Sequence, residues 1–273
     1  MSRRKRLGQH FLIDESAAEK IVDSASLSSD DTVVEIGPGA GILTSRLADI
    51  AKRVIAIEID KKLCRILKDR LSSYDNISLV NANALHYDYK DIQERFKVVS
   101  NLPYSISTPL TIKLIENREK ITDMVLMFQK EVADRISAKP GTKDYGSLSI
   151  IAQYRTDVSK LLNVGREAFK PPPKVDSAVI RITPKKEPAV KVMDEELFFN
   201  IVKISFSYRR KTLRNNLKSL NLPEEVLDRI FKETGIKPSQ RGETLSIEDF
   251  ARIANFIHSN VFAFYNFFAK ATT

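Results

Sequence analysis

Five short, nearly continuous apolar runs, separated by stretches of helical periodicity, constrain this chain more than any other feature. They are Thr32–Gly37, Arg53–Ile59, Ile77–Asn81, Lys97–Asn101 and Asp123–Gln129. A strand exposed on one face alternates apolar and polar residues, whereas a strand covered on both faces reads as a continuous apolar run. Between these runs lie Ile42–Ile50, Asp60–Leu71 and Thr108–Asn117, each patterned as a helix. Strand–helix alternation of this kind predicts an α/β, doubly wound Rossmann-like sheet. Two further runs, Ser159–Val164 and Ser177–Thr183, flank the turn-rich segment Phe169–Asp176 and predict a closing pair of strands.

The pattern changes after residue 183. Residues 184–194 carry two prolines and mixed charge, which suits a linker. Beyond them only helical patterns occur: Leu197–Leu220, Pro223–Glu233 and Ser246–Ile257. The last opens on Ser246 and Asp249, a capping box, and sets Ile247, Phe250, Ile253 and Ile257 on one face. The expected organisation is an α/β domain over residues 1–185 with a basic N-terminal arm, followed by a small all-α domain over residues 192–273.

Composition narrows the function classes. The 273 residues carry a formal charge of +9 and a single cysteine, Cys64. One cysteine excludes a disulfide framework and a Cys-rich zinc site, and His10, His86 and His258 lack metal-ligand spacing. No apolar run is long enough to span a bilayer, and the basic start lacks a signal-peptide core. The chain therefore reads as cytoplasmic, with no membrane and no metal. Its Lys and Ile content suggests an archaeal source. The basic excess is compatible with a polyanionic partner or with solubility alone.

The first run leads directly into Glu35-Ile36-Gly37-Pro38-Gly39-Ala40-Gly41 and then a helix. Glycines at such a turn let backbone approach a ligand closely, and an acid ending the next strand accepts ribose hydroxyls. Glu58 stands there, 21 residues beyond Gly37. The loop is shorter than the dinucleotide fingerprint, and Pro38 removes an N–H that a pyrophosphate would use. An adenosine cofactor without a pyrophosphate fits better, and S-adenosylmethionine is one. A plain strand–turn–helix corner is the alternative.

The fourth run ends in Asn101-Leu102-Pro103-Tyr104. An exocyclic amine on an aromatic base is a poor nucleophile, because its lone pair is delocalised into the ring. The Asn101 oxygen and the Leu102 carbonyl can accept its two N–H groups and hold the lone pair toward a methyl sulfonium. Pro103 keeps the chain extended, and Tyr104 can stack on a flipped base. A strand-ending turn with a buried tyrosine is the alternative.

These elements, with Gln9-His10-Phe11-Leu12 and the run from Phe169 through Lys170, Pro171, Pro172, Pro173, Lys174, Val175 and Asp176 to Ser177, closely resemble the ribosomal RNA adenine dimethyltransferases. The resemblance extends to Arg241-Gly242-Glu243-Thr244-Leu245. It implies a class I S-adenosylmethionine-dependent methyltransferase fold. It also implies dimethylation of N6 on two adjacent adenines near the 3′ end of small-subunit ribosomal RNA during ribosome biogenesis, on the RNA or the pre-small subunit; a monomer is expected, though the residues themselves leave the oligomeric state open. His10 and Leu12 would then close over the cofactor, Gly37 and Gly39 would underlie it, and Glu58 with Ile59 would hold its ribose. Asn83 and Ala84 would meet its adenine; the family usually has Asp where this chain has Asn83. Asn101 would touch cofactor and target amine, with Tyr104 and Phe169 sandwiching the target base. A large-subunit resistance methyltransferase and a non-catalytic assembly or transcription factor on the same fold stay open.

Two basic stretches are candidate RNA contacts. Arg3, Arg4, Lys5 and Arg6 form one, which also suits a solvated tail. Arg209, Arg210, Lys211, Arg214 and Lys218 lie in the other, a run without acids in which Arg210, Arg214 and Lys218 would share a helical face. Phe206, Tyr208 and the aromatics of Phe262–Phe268 read as packing residues.

Overall fold

The structure, a computed structural model, describes residues 10–262, with side chains described through Asn260. The basic run Arg3–Arg6 and most of the aromatic run Phe262–Phe268 lie outside the described residues. The chain forms two compact units: Met1–Ser137 with Thr156–Lys185, and Ala138–Arg155 with Lys186–Thr273.

The first unit holds strands β1 (Phe11–Leu12), β2 (Thr32–Ile36), β3 (Arg53–Glu58), β4 (Ile77–Asn81), β5 (Phe96–Asn101), β6 (Ile121–Gln129), β7 (Thr156–Val164), β8 (Phe169–Lys170) and β9 (Ser177–Pro184). Its helices are α1 (Glu15–Ser24), α2 (Ile42–Ile50), α3 (Lys61–Arg70), α4 (Ser107–Glu116) and α5 (Lys130–Ser137). Seven strands form one sheet in the order β4-β3-β2-β5-β6-β9-β7. The pairings from β4 to β6 are parallel, and those of β9 with β6 and β7 are antiparallel. All five residues of β2 are buried, which is why the segment reads as nearly continuously apolar, with Thr32 and Glu35 the exceptions.

Register places Val34 opposite Ile55 of β3 on one side and Val98 of β5 on the other. Strand order therefore reverses between β2 and β5. A crevice opens at the carboxyl ends of strands at such a switch point, and ligands of open α/β sheets bind there. The Ser100 hydroxyl, buried in β5, donates to the Ile36 carbonyl at 2.6 Å and ties the two strand ends together. Asp14 caps α1 through the Ala17 N–H at 3.0 Å, and Asp60 caps α3 through the Lys62 N–H at 2.8 Å.

A second, two-stranded sheet pairs β1 with β8 antiparallel, Leu12 opposite Phe169. Two-residue strands carry no periodic signal, so this pairing is invisible in the sequence.

The second unit contains α6 (Ser147–Arg155), α7 (Glu195–Ser205), α8 (Leu213–Leu217), α9 (Glu224–Thr234) and α10 (Ile247–Ile257). Its core gathers Phe198, Ile201, Leu213, Leu227, Phe250 and Ile253. The capping box of Ser246 and Asp249 is formed. Two expectations need correction. Residues 138–155, read as part of the first domain, belong here: α6 buries Ile150 and Tyr154, and Tyr154 meets Phe198 with ring centroids 5.0 Å apart. The expected single helix Leu197–Leu220 is broken between Ser205 and Leu213. Asn216 Nδ2 reaches back to the Ser205 carbonyl at 2.9 Å and the Tyr208 carbonyl at 3.3 Å, while the Thr212 hydroxyl caps α8. These side chains satisfy backbone groups that a continuous helix would have satisfied itself. Phe206 meets Tyr145 edge-on in the core, as expected, whereas Tyr208 is 62% exposed.

Candidate active site

Glu58 is the last residue of β3 and Glu35 the last but one of the neighbouring parallel strand β2, and the chain must turn sharply after Ile36 to enter α2. Gly37, Gly39 and Gly41 make that turn with φ of 71°, 59° and 85°, in the left-handed region that side chains rarely adopt. Gly39 also has no room: a Cβ there would lie 3.0 Å from the Phe11 ring. The β1 strap thus lies directly on the glycine loop. It is held by β8 and by Ile13 N–H, which donates to the Ala168 carbonyl at 2.8 Å.

These elements enclose a cavity at the switch point. His10, Leu12, Gly37, Gly39, Glu58, Ile59, Asn83, Ala84, Asn101, Leu102, Pro103 and Tyr104 all line it. So do Phe11, Ile36, Leu43, Ile57 and Leu85, which sequence reasoning did not assign. They are apolar residues on strands, the β1 strap, a turn and the first turn of α2, and an apolar residue carries no local sign of facing a cavity instead of a core.

Phe169 is placed differently from the expectation. Pairing of β8 with β1 turns its ring into the core with Leu12, Ile21 and Val179, and it is absent from the cavity wall. The ring that does stand beside Tyr104 is His10, with centroids 5.9 Å apart.

The polar groups are few and specific. Glu35 is buried, and its Oε2 has no hydrogen-bond partner. Burial, reinforced by the nearby Glu58 charge, pushes its pKa up from 4.5 to about 8. Glu58 is also raised, chiefly by burial, and its Oε1 accepts the Asp60 N–H at 2.8 Å. Asn101 Oδ1 is buried without a partner. Asn83 Oδ1 accepts the Leu85 N–H at 3.0 Å, closing a tight turn. Tyr104 Oη lies 2.7 Å from Ser177 Oγ. His10 Nδ1 lies 2.7 Å from the Pro171 carbonyl; that oxygen only accepts, so Nδ1 carries the proton.

Unsatisfied buried oxygens await donors or a cation. The lining contains two acidic side chains, Glu35 and Glu58, and neither Lys nor Arg, so no cation of the wall competes with a positively charged ligand. That charge balance suits a cationic adenosyl sulfonium and disfavours a pyrophosphate, so the residues present fit S-adenosylmethionine. Among the described residues, no group of three or more His, Cys, Asp or Glu side chains is placed to hold a metal ion. Nor is any described helix long and apolar enough to cross a membrane.

The second basic stretch also departs from expectation. Arg210 lies in the turn before α8 and Lys218 in the turn after it, so no common helical face exists. Arg214 pairs with Glu224 and Asp228, and Lys218 pairs with Glu224 at 3.1 Å. The compensating acids come from α9, beyond the acid-free run. Arg209 donates to the Lys143 carbonyl at 2.6 Å and lies 3.5 Å from Glu243. Arg210 and Lys211 are exposed and make no ion pair among the described residues.

A curated ribosomal RNA small subunit methyltransferase A from Geobacillus sp. (strain WCH70) is 50% identical over 264 residues, covering 92% of this chain and 90% of the relative. The Bacillus mycoides (strain KBAB4) protein of the same name is 48% identical with the same coverage. Both organisms are bacteria, so these relatives lend no support to the archaeal source expected from composition. A solved dimethyladenosine transferase from Plasmodium falciparum superimposes with a TM-score of 0.79 at 31% identity, covering 92% of this chain and 98% of that one. The 23S rRNA methyltransferase ErmE superimposes with a TM-score of 0.71 at 28% identity, covering 91% and 99%. The family model for ribosomal RNA adenine dimethylase matches residues 1–259, and the chain belongs to that family.

Proposed function

We propose that this protein uses S-adenosylmethionine to dimethylate N6 of two adjacent adenines near the 3′ end of small-subunit ribosomal RNA, acting as a monomer on the RNA or the assembling subunit. The observation that carries this reading is the buried, unpartnered Asn101 Oδ1 at the end of β5, in the same cavity as Glu58 and the glycine loop.

The bound cofactor supplies an electrophilic methyl on sulfur. Glu58 is the acceptor for the ribose hydroxyls, with Ile59 beside it; Gly37 and Gly39 leave room beneath. Asn83 and Ala84 flank the adenine end, and His10 and Leu12 close the site from β1. Glu35, buried and unpartnered at Oε2, is mostly protonated at neutral pH, and a cation bound beside it would draw it toward its charged form. For the target, Asn101 Oδ1 and the Leu102 carbonyl accept the two amine N–H groups, which points the lone pair toward the cofactor. Pro103 keeps that carbonyl in extended chain, and Tyr104 stacks on the base. Phe169, buried under β1, supports the strap. Orientation and exclusion of water at such a site can lower a barrier by roughly 7–11 kcal/mol, without a strong base or a metal.

Incubation of the protein with methyl-labelled cofactor and small ribosomal subunits, followed by mapping of modified adenines, tests the reading. Dimethylation of two adjacent adenines near the 3′ end is expected. Label confined to large-subunit RNA would assign the resistance reaction, for which the likeness to ErmE is the supporting observation. Subunit binding without label would leave a non-catalytic factor.

A further inference from the structure

We infer that Tyr208 is a nucleobase-stacking residue, set in a basic frame on the helical unit, that takes an unpaired base of the RNA. The inference rests on the RNA substrate assigned above and extends it to a surface outside the cavity.

The sequence pattern makes Phe206 and Tyr208 alike, two aromatics in a basic run. The structure separates them. Phe206 packs between Tyr145 and Phe250, with centroids 6.0 Å and 5.9 Å away. Tyr208 stands out with 62% of its surface exposed. A large exposed aromatic is costly to leave in water, and the loop around it is not loose. Ser207 N–H donates to the Ile204 carbonyl at 3.0 Å and Lys211 N–H to the Tyr208 carbonyl at 3.0 Å. Asn216 Nδ2 reaches the same Tyr208 carbonyl at 3.3 Å, and Arg209 is bonded to the Lys143 carbonyl at 2.6 Å. Backbone contacts on both sides of the residue therefore order the loop that presents the ring, and little loop ordering is left to occur on binding.

The surroundings state the partner's chemistry. Arg209 bridges the loop to Lys143, and Gly141 N–H donates to the Glu243 carbonyl at 2.7 Å, so segments 139–144, 207–211 and 241–243 adjoin. They contribute six cations, Lys139, Lys143, Arg209, Arg210, Lys211 and Arg241, against two acids, Asp144 and Glu243. Arg209 and Arg241 share Glu243, at 3.5 Å and 4.0 Å, so one acid serves two arginines. Lys211 Nζ sits 4.5 Å from the Tyr208 ring centroid, on one face of the ring. A rigid aromatic with cations around it is how proteins bind single-stranded nucleic acid. The ring takes a base by stacking and the cations take the flanking phosphates. An apolar protein partner would meet desolvated lysines and arginines here at a net cost.

The test uses the full chain and a mixed-sequence single-stranded RNA oligonucleotide, with anisotropy titrations across a salt series. Tyr208→Ala is expected to weaken binding roughly fivefold or more at fixed salt, and to leave the slope of log K against log salt unchanged. Tyr208→Phe keeps the π face and is expected to bind within about twofold of the parent, whereas Arg210→Ala is expected to lower the slope by about one. The chain has no tryptophan, so Tyr208→Trp makes a single reporter whose emission is expected to be quenched by RNA. Unchanged affinity of Tyr208→Ala together with unquenched Tyr208→Trp would overturn the inference. A loss of small-subunit binding without any loss of oligonucleotide binding would also overturn it, by assigning the contact to a ribosomal protein. If the parent methylates small subunits while the tyrosine variants behave as the parent, only this inference falls. If the parent neither methylates nor binds RNA, the proposed function falls with it.

Discussion

Tyr104 Oη and Ser177 Oγ lie 2.7 Å apart, a hydrogen bond across 73 residues of sequence that joins the turn after β5 to the first residue of β9. It fixes the tilt of the ring proposed to hold the target base, and Ser177 is fully buried. Removing the hydroxyl by Ser177→Ala costs one buried hydrogen bond, about 1 kcal/mol. Methyl transfer is expected to slow by up to about tenfold, with cofactor affinity by calorimetry unchanged. A matching loss in cofactor affinity would show that Ser177 shapes the whole cavity and does not orient Tyr104.

Asn101→Ala and Tyr104→Ala separate chemistry from binding. Each is expected to lower single-turnover methyl transfer at least 100-fold, because positioning supplies most of the acceleration. Affinity for small subunits should fall no more than a few-fold. Equal losses in both measurements would contradict the assigned roles.

Gly39→Ala meets two obstacles, a φ of 59° and a Phe11 ring atom 3.0 Å from the new Cβ. The left-handed strain alone is worth roughly 1–2 kcal/mol. The variant is expected to melt several degrees lower and to lose most of its cofactor affinity. Adding Phe11→Ala relieves the contact and leaves the strain, so it should recover stability only in part. Full recovery would assign the whole effect to the ring.

Glu35 makes stability depend on pH with a definite sign. Its folded value of about 8 lies above its usual 4.5, so between those values the folded protein holds a proton that the unfolded chain has lost. Its contribution is complete below about pH 4.5, declines as pH rises, and is level above about pH 8, with a slope of at most ~1.4 kcal/mol per pH unit. Glu35→Gln removes the titration. Urea denaturation at pH 5.5 and pH 8 is expected to show the parent losing stability relative to this variant. Parallel behaviour would place the Glu35 value in the ordinary carboxylate range.

The two arginines that share a sequence stretch should behave oppositely. Arg210 is exposed and has no ion pair among the described residues, while Arg214 is held by Glu224 and Asp228. Arg210→Ala is therefore expected to flatten the salt dependence of RNA binding, and Arg214→Ala to leave it unchanged. A reduced slope for Arg214→Ala would mean that its acids release it to phosphate.

Asn83 closes its turn through Oδ1 and the Leu85 N–H, so the rest of its amide offers donors to the cavity. Asp at this position keeps the turn and adds a charged acceptor, which favours an adenine amino group. Calorimetry of Asn83→Asp is expected to show several-fold tighter cofactor binding. No gain would remove Asn83 from the adenine subsite.

The sequence by itself determined the parts whose signal is local. The central strands read as apolar runs because both faces are buried. The glycine loop reads as a turn because only glycine takes its φ values cheaply. Asn101–Tyr104 reads as functional because a polar amide and an aromatic ring end a buried strand. Tertiary structure alone decided what depends on distant partners. β1 finds β8 only in three dimensions, and that pairing buries Phe169 and sets His10 beside Tyr104. Residues 138–155 join the helical unit because Tyr154 packs on Phe198, a contact no periodicity encodes. Arg214 and Lys218 look uncompensated along the chain and are paired in space, whereas Tyr208 looks like core and faces water. Burial and charge pairing are properties of neighbours in space, and a sequence records only neighbours along the chain.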